Sequence, residues 1–148
     1  MSSNSRLTTA IHALCWLELS ARRGTPTLTS AQVADSLQSH PVLIRRTLAP
    51  LRDAGLLRVV GRGPGAGWQL ARPAAEITLR EVHQMLGGDT IFALHPHPPK
   101  PDCPVGHGIP DVLDRVYRDA EEAVAQVLQG LTVADVLDRI LKERPLLA

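Results

Sequence analysis

Residues 29–72 read TSAQVADSLQSHPVLIRRTLAPLRDAGLLRVVGRGPGAGWQLAR, and this stretch decides the fold. Thr29-Ser-Ala-Gln32 fits a capping box, in which a hydroxyl and an amide side chain satisfy free N–H groups of a helical first turn. It predicts a helix over residues 29–37. A short polar turn then leads to a second predicted helix, from about Pro41 to Ala54. Two helices joined by a short turn indicate a helix-turn-helix.

A predicted hairpin follows the second helix. Leu56-Leu57 begins a short apolar strand, the glycine-rich loop spans residues 61–67, and a second strand contains Trp68 and Leu70. A nucleotide-binding loop is the alternative for the glycines, but no Lys-Ser/Thr pair follows and the next segment reads as a strand. The predicted fold class is mainly α with a small β-hairpin wing: a winged helix-turn-helix plus a long C-terminal dimerisation helix. Such a fold offers a rigid helix to the major groove of DNA and a narrow loop to the backbone.

The second helix has one apolar face and one basic face. Ile44, Leu48 and Leu51 recur at helical spacing and should face the core. Pro50 should kink the helix or make its last turn a separate turn. We expect double-stranded DNA to be contacted by the turn, the outward face and the wing tip, at Ser39 (also the predicted helix cap), His40, Val42, Arg45, Arg46, Arg62, Gly63 and Gly65. Arg52 lies farther along, where a phosphate contact and a solvated charge are equally open.

Charge separates the chain into two halves. Residues 1–72 hold nine arginines against three acidic residues, a balance of +6, while residues 73–148 hold seven basic against twelve acidic residues, a balance of −5. A basic half is typical of a DNA-facing surface. With no secretory signal, no apolar stretch long enough to cross a bilayer, and only two cysteines, we expect a cytoplasmic protein that does not contact a membrane.

Three segments are predicted: a winged helix-turn-helix domain over residues 1–87, a proline-rich extended linker over 88–109, and a long helix plus a C-terminal helix over 110–148. The long helix should run from Pro110 to about Gln129. An amphipathic helix needs a surface that covers its apolar stripe. Packing within the chain is one solution, but we favour a second copy, because helix-turn-helix proteins usually read two-fold sites as dimers. The predicted dimer interface consists of Val112, Val116, Ala120, Ala123 and Val127.

The linker contains Cys103 among the histidines His95, His97 and His107. Cysteine and histidine could hold a transition metal, for example at Cys103 and His107, but the spacing matches no zinc motif and we expect no metal. We consider Cys103 as a redox-sensing thiol, with Cys15 as one partner for a disulfide. Cys15 also fits a small buried residue. No acid–base or nucleophilic constellation indicates an enzyme.

Four stretches resemble the Rrf2 family of bacterial winged-helix repressors: LIRRTL at 43–48, LRDAGLL at 51–57, GRGPGAGWQLARP at 61–73 and EITLREV at 76–82. The resemblance implies a homodimer, with the long helix crossing between subunits and the sensory site in the linker. We expect this homodimer to bind a palindromic operator. Iron–sulfur members carry three linker cysteines, and this linker has one, so we expect no cluster. The string PDCPVG at 101–106 resembles a cluster-free branch, some of whose members are thought to sense oxidants through a thiol.

The sequence therefore predicts a sequence-specific, DNA-binding transcriptional regulator, a homodimeric repressor that could respond to thiol oxidation. Two alternatives come from other classes. A winged-helix protein-interaction module would lack exposed arginines on the recognition helix and wing. A nucleotide-binding enzyme would need the missing lysine of a phosphate-binding loop.

Overall fold

The computed structural model describes residues 3–88 and 90–145; the ends of the predicted segments at residues 1 and 148, and Asp89, lie outside them. The described chain contains six helices and three short strands. Their bounds are α1 Ser3–Arg22, β1 Leu28–Thr29, α2 Ser30–Leu37, α3 Pro41–Asp53, β2 Leu57–Val60, β3 Gly67–Leu70, α4 Leu79–Met85, α5 Pro104–Gln129 and α6 Val133–Glu143. Single 3-10 turns occupy Gly63–Gly65 and Ala74–Glu76. The predicted order of helix-turn-helix and hairpin is confirmed.

The wing hairpin gains a third strand that we did not predict. The sheet order is β1-β3-β2 and both pairings are antiparallel. Leu28 pairs with Trp68 and Thr29 with Gly67. A Cβ at Gly67 would lie 2.9 Å from the Cβ of Thr27, so only glycine allows the strands to approach this closely.

The core is aliphatic and centred on α1. Its fully buried side chains include Leu14 and Leu17 of α1 and Ile44, Leu48 and Leu51 of α3. The predicted inward face of the second helix is thus confirmed. Pro50 lies inside an unbroken α3, and the N–H of Ala54 still donates to the Pro50 carbonyl at 3.0 Å. The last turn is therefore not separate from the helix.

The last helix returns to the N-terminal domain, which corrects its predicted grouping with the long helix. Val133 and Leu137 of α6 are buried in the same core as α1. Arg22 of α1 donates to Asp138 of α6 at 2.7 Å. A capping box at Thr132 and Asp135 begins α6. Residues 110–148 do not form a separate unit, because burying the apolar face of α6 requires contact with α1.

The long helix begins at Pro104, so the prediction that it starts at Pro110 and that the linker is extended to residue 109 is wrong. Proline is tolerated in the first turn of a helix, where its missing N–H has no intrahelical partner. Pro104 occupies that first turn, and α5 continues through Pro110. Residues 90–103 contain no helix or strand. None of the described helices is both long and apolar enough to cross a membrane.

Candidate nucleic-acid interface

The turn between α2 and α3 is capped by a residue other than the one we predicted. His40, not Ser39, is the N-cap of α3, and its Nδ1 accepts from the N–H of Val42 at 3.3 Å. The cause is Pro41, because the residue before a proline disfavours helical backbone angles and stays extended. Ser39 is exposed in the turn after Gln38, whose φ of 48° ends α2.

The outward face of α3 carries the predicted basic side chains. Arg45 and Arg46 are exposed, and neither forms an ion pair with a described residue. Val42 is exposed one turn earlier. Arg52 is exposed but pairs with the neighbouring carboxylate of Asp53 at 3.1 Å. Arg45 and Arg46 therefore keep their charge free of any described carboxylate, and both lie in the first half of α3.

Backbone angles that favour glycine shape the tip of the wing. Gly61 and Gly63 have φ of 89° and 69°, in the left-handed region. Arg62 lies between them, exposed and without an ion pair to any described residue. Gly65 does not need a positive φ and has open space around it. The turn therefore presents the Arg62 guanidinium to solvent.

Recognition helix and wing face each other across a groove of about 720 Å³, which we call the arginine groove. Helices α2 and α3 and the turn between them line one side with Ser30, Ala31, His40, Pro41, Arg45, Arg46, Ala49 and Arg52; the wing lines the other with Val59, Gly63, Pro64, Ala66 and Trp68. Five predicted contact residues, His40, Arg45, Arg46, Arg52 and Gly63, meet here. Ser39, Val42, Arg62 and Gly65 lie outside the lining.

Sequence reasoning missed the groove residues that come from α2 and the sheet. The Nε1 of the buried Trp68 donates to the Oγ of Ser30 at 2.9 Å, across 38 positions of sequence. No local pattern indicates such a contact. The only available signal was the polar N–H of a tryptophan, which usually finds a partner when it is buried.

Cys103 lies at the start of α5 and is exposed. It is the N-cap residue of the helix, and the backbone N–H groups of Gly106 and Val105 lower the pKa of its thiol. These N–H groups have no helical partner and stabilise a thiolate. Gly106 itself is packed close, since a Cβ there would lie 2.6 Å from the Lys100 carbonyl oxygen.

Cys15 has the opposite environment. It is buried in the core, and burial is the main cause that raises the pKa of its thiol to about 11, with the Glu18 carboxylate adding to the effect. A thiol held protonated and covered is a poor nucleophile. This placement counts against Cys15 as a disulfide partner.

The linker follows α5 through specific contacts. The Glu121 carboxylate accepts the backbone N–H groups of Ile91 at 2.8 Å and Phe92 at 3.1 Å. The Phe92 ring stacks on Tyr117 with centroids 5.0 Å apart. His95, His97 and His107 are exposed. Among the residues that the structure describes, no three His, Cys, Asp or Glu side chains are grouped as metal ligands.

One face of α5 is unpartnered in the protomer. Val112 and Val116 are each 51% exposed and Val127 is 66% exposed. Ala123 is exposed in the same stripe, whereas Ala120 is half-buried. A different face, with Leu113 and Tyr117, packs towards the linker. Four of the five predicted interface residues are therefore available to a partner.

Helix-turn-helix, wing and a basic groove between them define a winged-helix DNA-binding protein. The chain belongs to the Rrf2 family, whose sequence profile is described as "Iron-dependent Transcriptional regulator" and matches residues 3–139. It is 32% identical over 138 residues to YwnA of Bacillus subtilis (strain 168), named as an HTH-type transcriptional regulator, covering 93% of this chain and 98% of that protein. It is 26% identical over 136 residues to the HTH-type transcriptional regulator IscR of Cereibacter sphaeroides, covering 92% and 86%.

Solved structures agree on the fold. IscR of T. potens superposes with a TM-score of 0.70 at 20% identity, over 97% of this chain and 90% of that one. Membership of the Rrf2 family and the similarity to named regulators make the protein a DNA-binding transcriptional regulator and not an enzyme.

The family description raises the question of iron. Iron–sulfur clusters are held mainly by several cysteine thiolates. This chain has two cysteines, of which one is buried in the core and the other lies alone on the surface at the start of α5. These residues do not fit the ligand set of a protein-bound cluster.

Proposed function

We propose that the protein is a homodimeric repressor that binds a palindromic operator through two arginine grooves. In each protomer the first half of α3 lies in the major groove, where Arg45, Arg46 and Val42 meet base edges. Arg62 contacts the phosphate backbone or a narrow minor groove. The observation that carries this proposal is the arginine groove, which has exposed guanidinium groups on α3 and another beside it on the wing.

The dimer rests on the exposed stripe of α5. No residue of this 26-residue helix is fully buried, and an amphipathic helix needs a surface that covers its apolar stripe. Pairing of two copies along Val112, Val116, Ala123 and Val127 would cover that stripe. A dimer of this kind would offer one α3 to each half of a two-fold operator.

Cys103 is proposed as the sensing thiol. Its thiolate attacks one oxygen of a hydroperoxide and the O–O bond breaks, giving a sulfenic acid, while the other oxygen leaves as hydroxide or alkoxide and takes up a proton. The sulfenic acid condenses with a second thiol to a disulfide and releases water. The second thiol is a low-molecular-weight one, because Cys15 is buried. Cys103 caps α5, and the linker that precedes it connects α5 to the DNA-binding domain, so its modification can change how the two α3 helices are spaced. We propose that no metal or cluster takes part and that the protein acts in the cytoplasm.

A gel shift with DNA upstream of the protein's own gene tests the proposal. A sequence-specific dimer gives a discrete complex that survives excess unrelated DNA. If unrelated DNA displaces the complex at the same concentration as unlabelled upstream DNA does, the result would contradict a specific operator. The absence of any complex would contradict DNA binding itself. A reporter gene behind the bound promoter separates repression from activation.

A further inference from the structure

We infer that Trp68 and Ser30 are positioning residues for the wing, and that their hydrogen bond sets how Arg62 meets DNA. The inference rests on the proposed contact between Arg62 and DNA. Both residues line the arginine groove, and neither carries a charge that could bind phosphate. Their contribution must therefore come through the geometry of the groove.

The bond joins the wing hairpin to α2, the helix that precedes α3. Trp68 belongs to β3, the strand that follows the wing loop, and Ser30 is the first residue of α2. The indole Nε1 donates to the Ser30 Oγ at 2.9 Å and both side chains are buried. The wing is thus connected directly to the helix that supports α3.

The rest of the hairpin's attachment is apolar packing, with Leu57 and Trp68 buried in the core, and a short strand pairing. Strand β1 pairs with β3 at only two positions, Leu28 with Trp68 and Thr29 with Gly67. Thr29 is at the same time the N-cap of α2, where its hydroxyl accepts from the N–H of Gln32 at 3.2 Å. One short segment therefore forms an edge strand of the sheet and begins helix α2. With a pairing this short, the loss of the Trp68 bond should allow the hairpin to move relative to α3.

The geometry makes a specific prediction about coupling. If the bond acts by placing Arg62, its loss should weaken DNA binding only while Arg62 is present. Ser30→Ala keeps the indole packing and removes the acceptor, so it should weaken binding about three- to tenfold, the range expected for one net hydrogen bond. In an Arg62→Ala background the same change should have no further effect.

If Ser30 and Trp68 contributed to stability alone, their variants would give different results. Substitution of both hydrogen-bond partners distinguishes a stabilising role from a positioning role. Ser30→Ala leaves a buried indole N–H without a partner, which lowers stability. Adding Trp68→Phe removes that orphaned donor, although the smaller ring leaves a cavity in a buried site, and urea unfolding measures the net effect on stability. DNA affinity should not recover, because the link between wing and α2 is still missing. Ser36→Ala is the matched control, since it deletes another α2 hydroxyl, bonded to His12 at 2.9 Å outside the groove.

The experiment measures affinity for one DNA duplex at fixed salt, together with urea unfolding, for the parent, Ser30→Ala, Arg62→Ala, their combination, Ser30→Ala/Trp68→Phe and Ser36→Ala. The expected result is a loss with Ser30→Ala that disappears in the Arg62→Ala background and is absent with Ser36→Ala. Additive losses, or no loss in folded Ser30→Ala, would overturn this inference and leave the proposed DNA contact of Arg62 intact. If Arg62→Ala alone binds like the parent, the proposed wing contact fails and this inference falls with it.

Discussion

The arginines of α3 and of the wing have separable tasks because they occupy different elements. Arg45 and Arg46 project from the first half of α3, whereas Arg62 occupies the tip of a glycine turn. Base edges carry sequence information and phosphates do not. The position of each arginine therefore predicts the kind of binding that its removal will change.

Arg45→Ala and Arg46→Ala should each change which sequences are preferred, at a cost of about 1–3 kcal/mol for the loss of one good hydrogen-bonded pair with a base. Arg62→Ala should weaken binding to all sequences by a similar factor. Binding to a panel of operator variants, with single base pairs exchanged, measures both effects. The same loss on every panel member for all three variants would show that this division between base and backbone contacts is wrong.

The two cysteines should differ in reactivity with pH. The thiol pKa of Cys103 is lowered by the N–H groups of Gly106 and Val105, so more thiolate is present at neutral pH than in an ordinary cysteine. The pKa of Cys15 is raised to about 11 by burial. Alkylation of the folded protein should therefore label Cys103 first, with a rate that levels off at a lower pH than that of a free cysteine.

Peptide mapping after a short alkylation measures this order, and urea-unfolded protein provides the control in which both thiols react. Labelling of Cys15 at a comparable rate in folded protein would contradict its placement.

The regulatory role of Cys103 is tested separately. Hydrogen peroxide should weaken DNA binding by the parent but not by Cys103→Ser, and equal responses would remove Cys103 as the sensor.

At the scale of elements, α5 is the helix with the least to cover it. Val116→Asp or Val127→Asp would place a charge in the proposed interface, where burial without a partner is costly. Sedimentation should show monomers, and far-ultraviolet circular dichroism should show a retained winged-helix domain. Gln129→Glu is the control, because it adds the same charge near Val127 but outside the stripe. Dimers that persist in both valine variants would mean that the stripe is covered in another way.

Elements with local signals could be predicted from sequence. Capping residues predicted α2, and the spacing of Ile44, Leu48 and Leu51 identified the buried side of α3. Strand β1 could not be predicted, because two residues are too few to show an alternating pattern. The start of α5 was misplaced because proline density was taken to exclude a helix, although Pro104 stands in a first turn, where proline is tolerated.

At the site, too, local features could be predicted from sequence and contacts between distant residues could not. Charge and helical phase identified the arginines, since an exposed basic face needs no knowledge of tertiary contacts. The hydrogen bond between Trp68 and Ser30 required the strand pairing that brings distant residues together. The return of α6 to α1 was equally non-local, because the apolar face of an amphipathic helix does not specify its partner.

At the scale of the whole molecule, charge is separated along the chain, and the arginine groove belongs to its basic half. Residues 1–72 carry a balance of +6 and residues 73–148 a balance of −5. A protein that neutralises phosphates releases condensed counterions, so its affinity falls steeply as salt rises. Nearly all of this dependence should come from the arginine groove if that surface holds the DNA.

The most direct test compares the salt dependence of DNA affinity for three proteins. One is the parent. The second lacks the charges of the arginine groove and of the wing tip beside it through Arg45→Ala, Arg46→Ala and Arg62→Ala. The third loses equal charge from α6 and the residue after it through Arg139→Ala, Lys142→Ala and Arg144→Ala. The account predicts a steep logarithmic slope for the parent and the third protein. The second should have a shallower slope, by about 0.9 for each phosphate that the protein no longer neutralises. Equal slopes for the second and third proteins, or a flat plot for the parent, would contradict the claim that the arginine groove binds DNA.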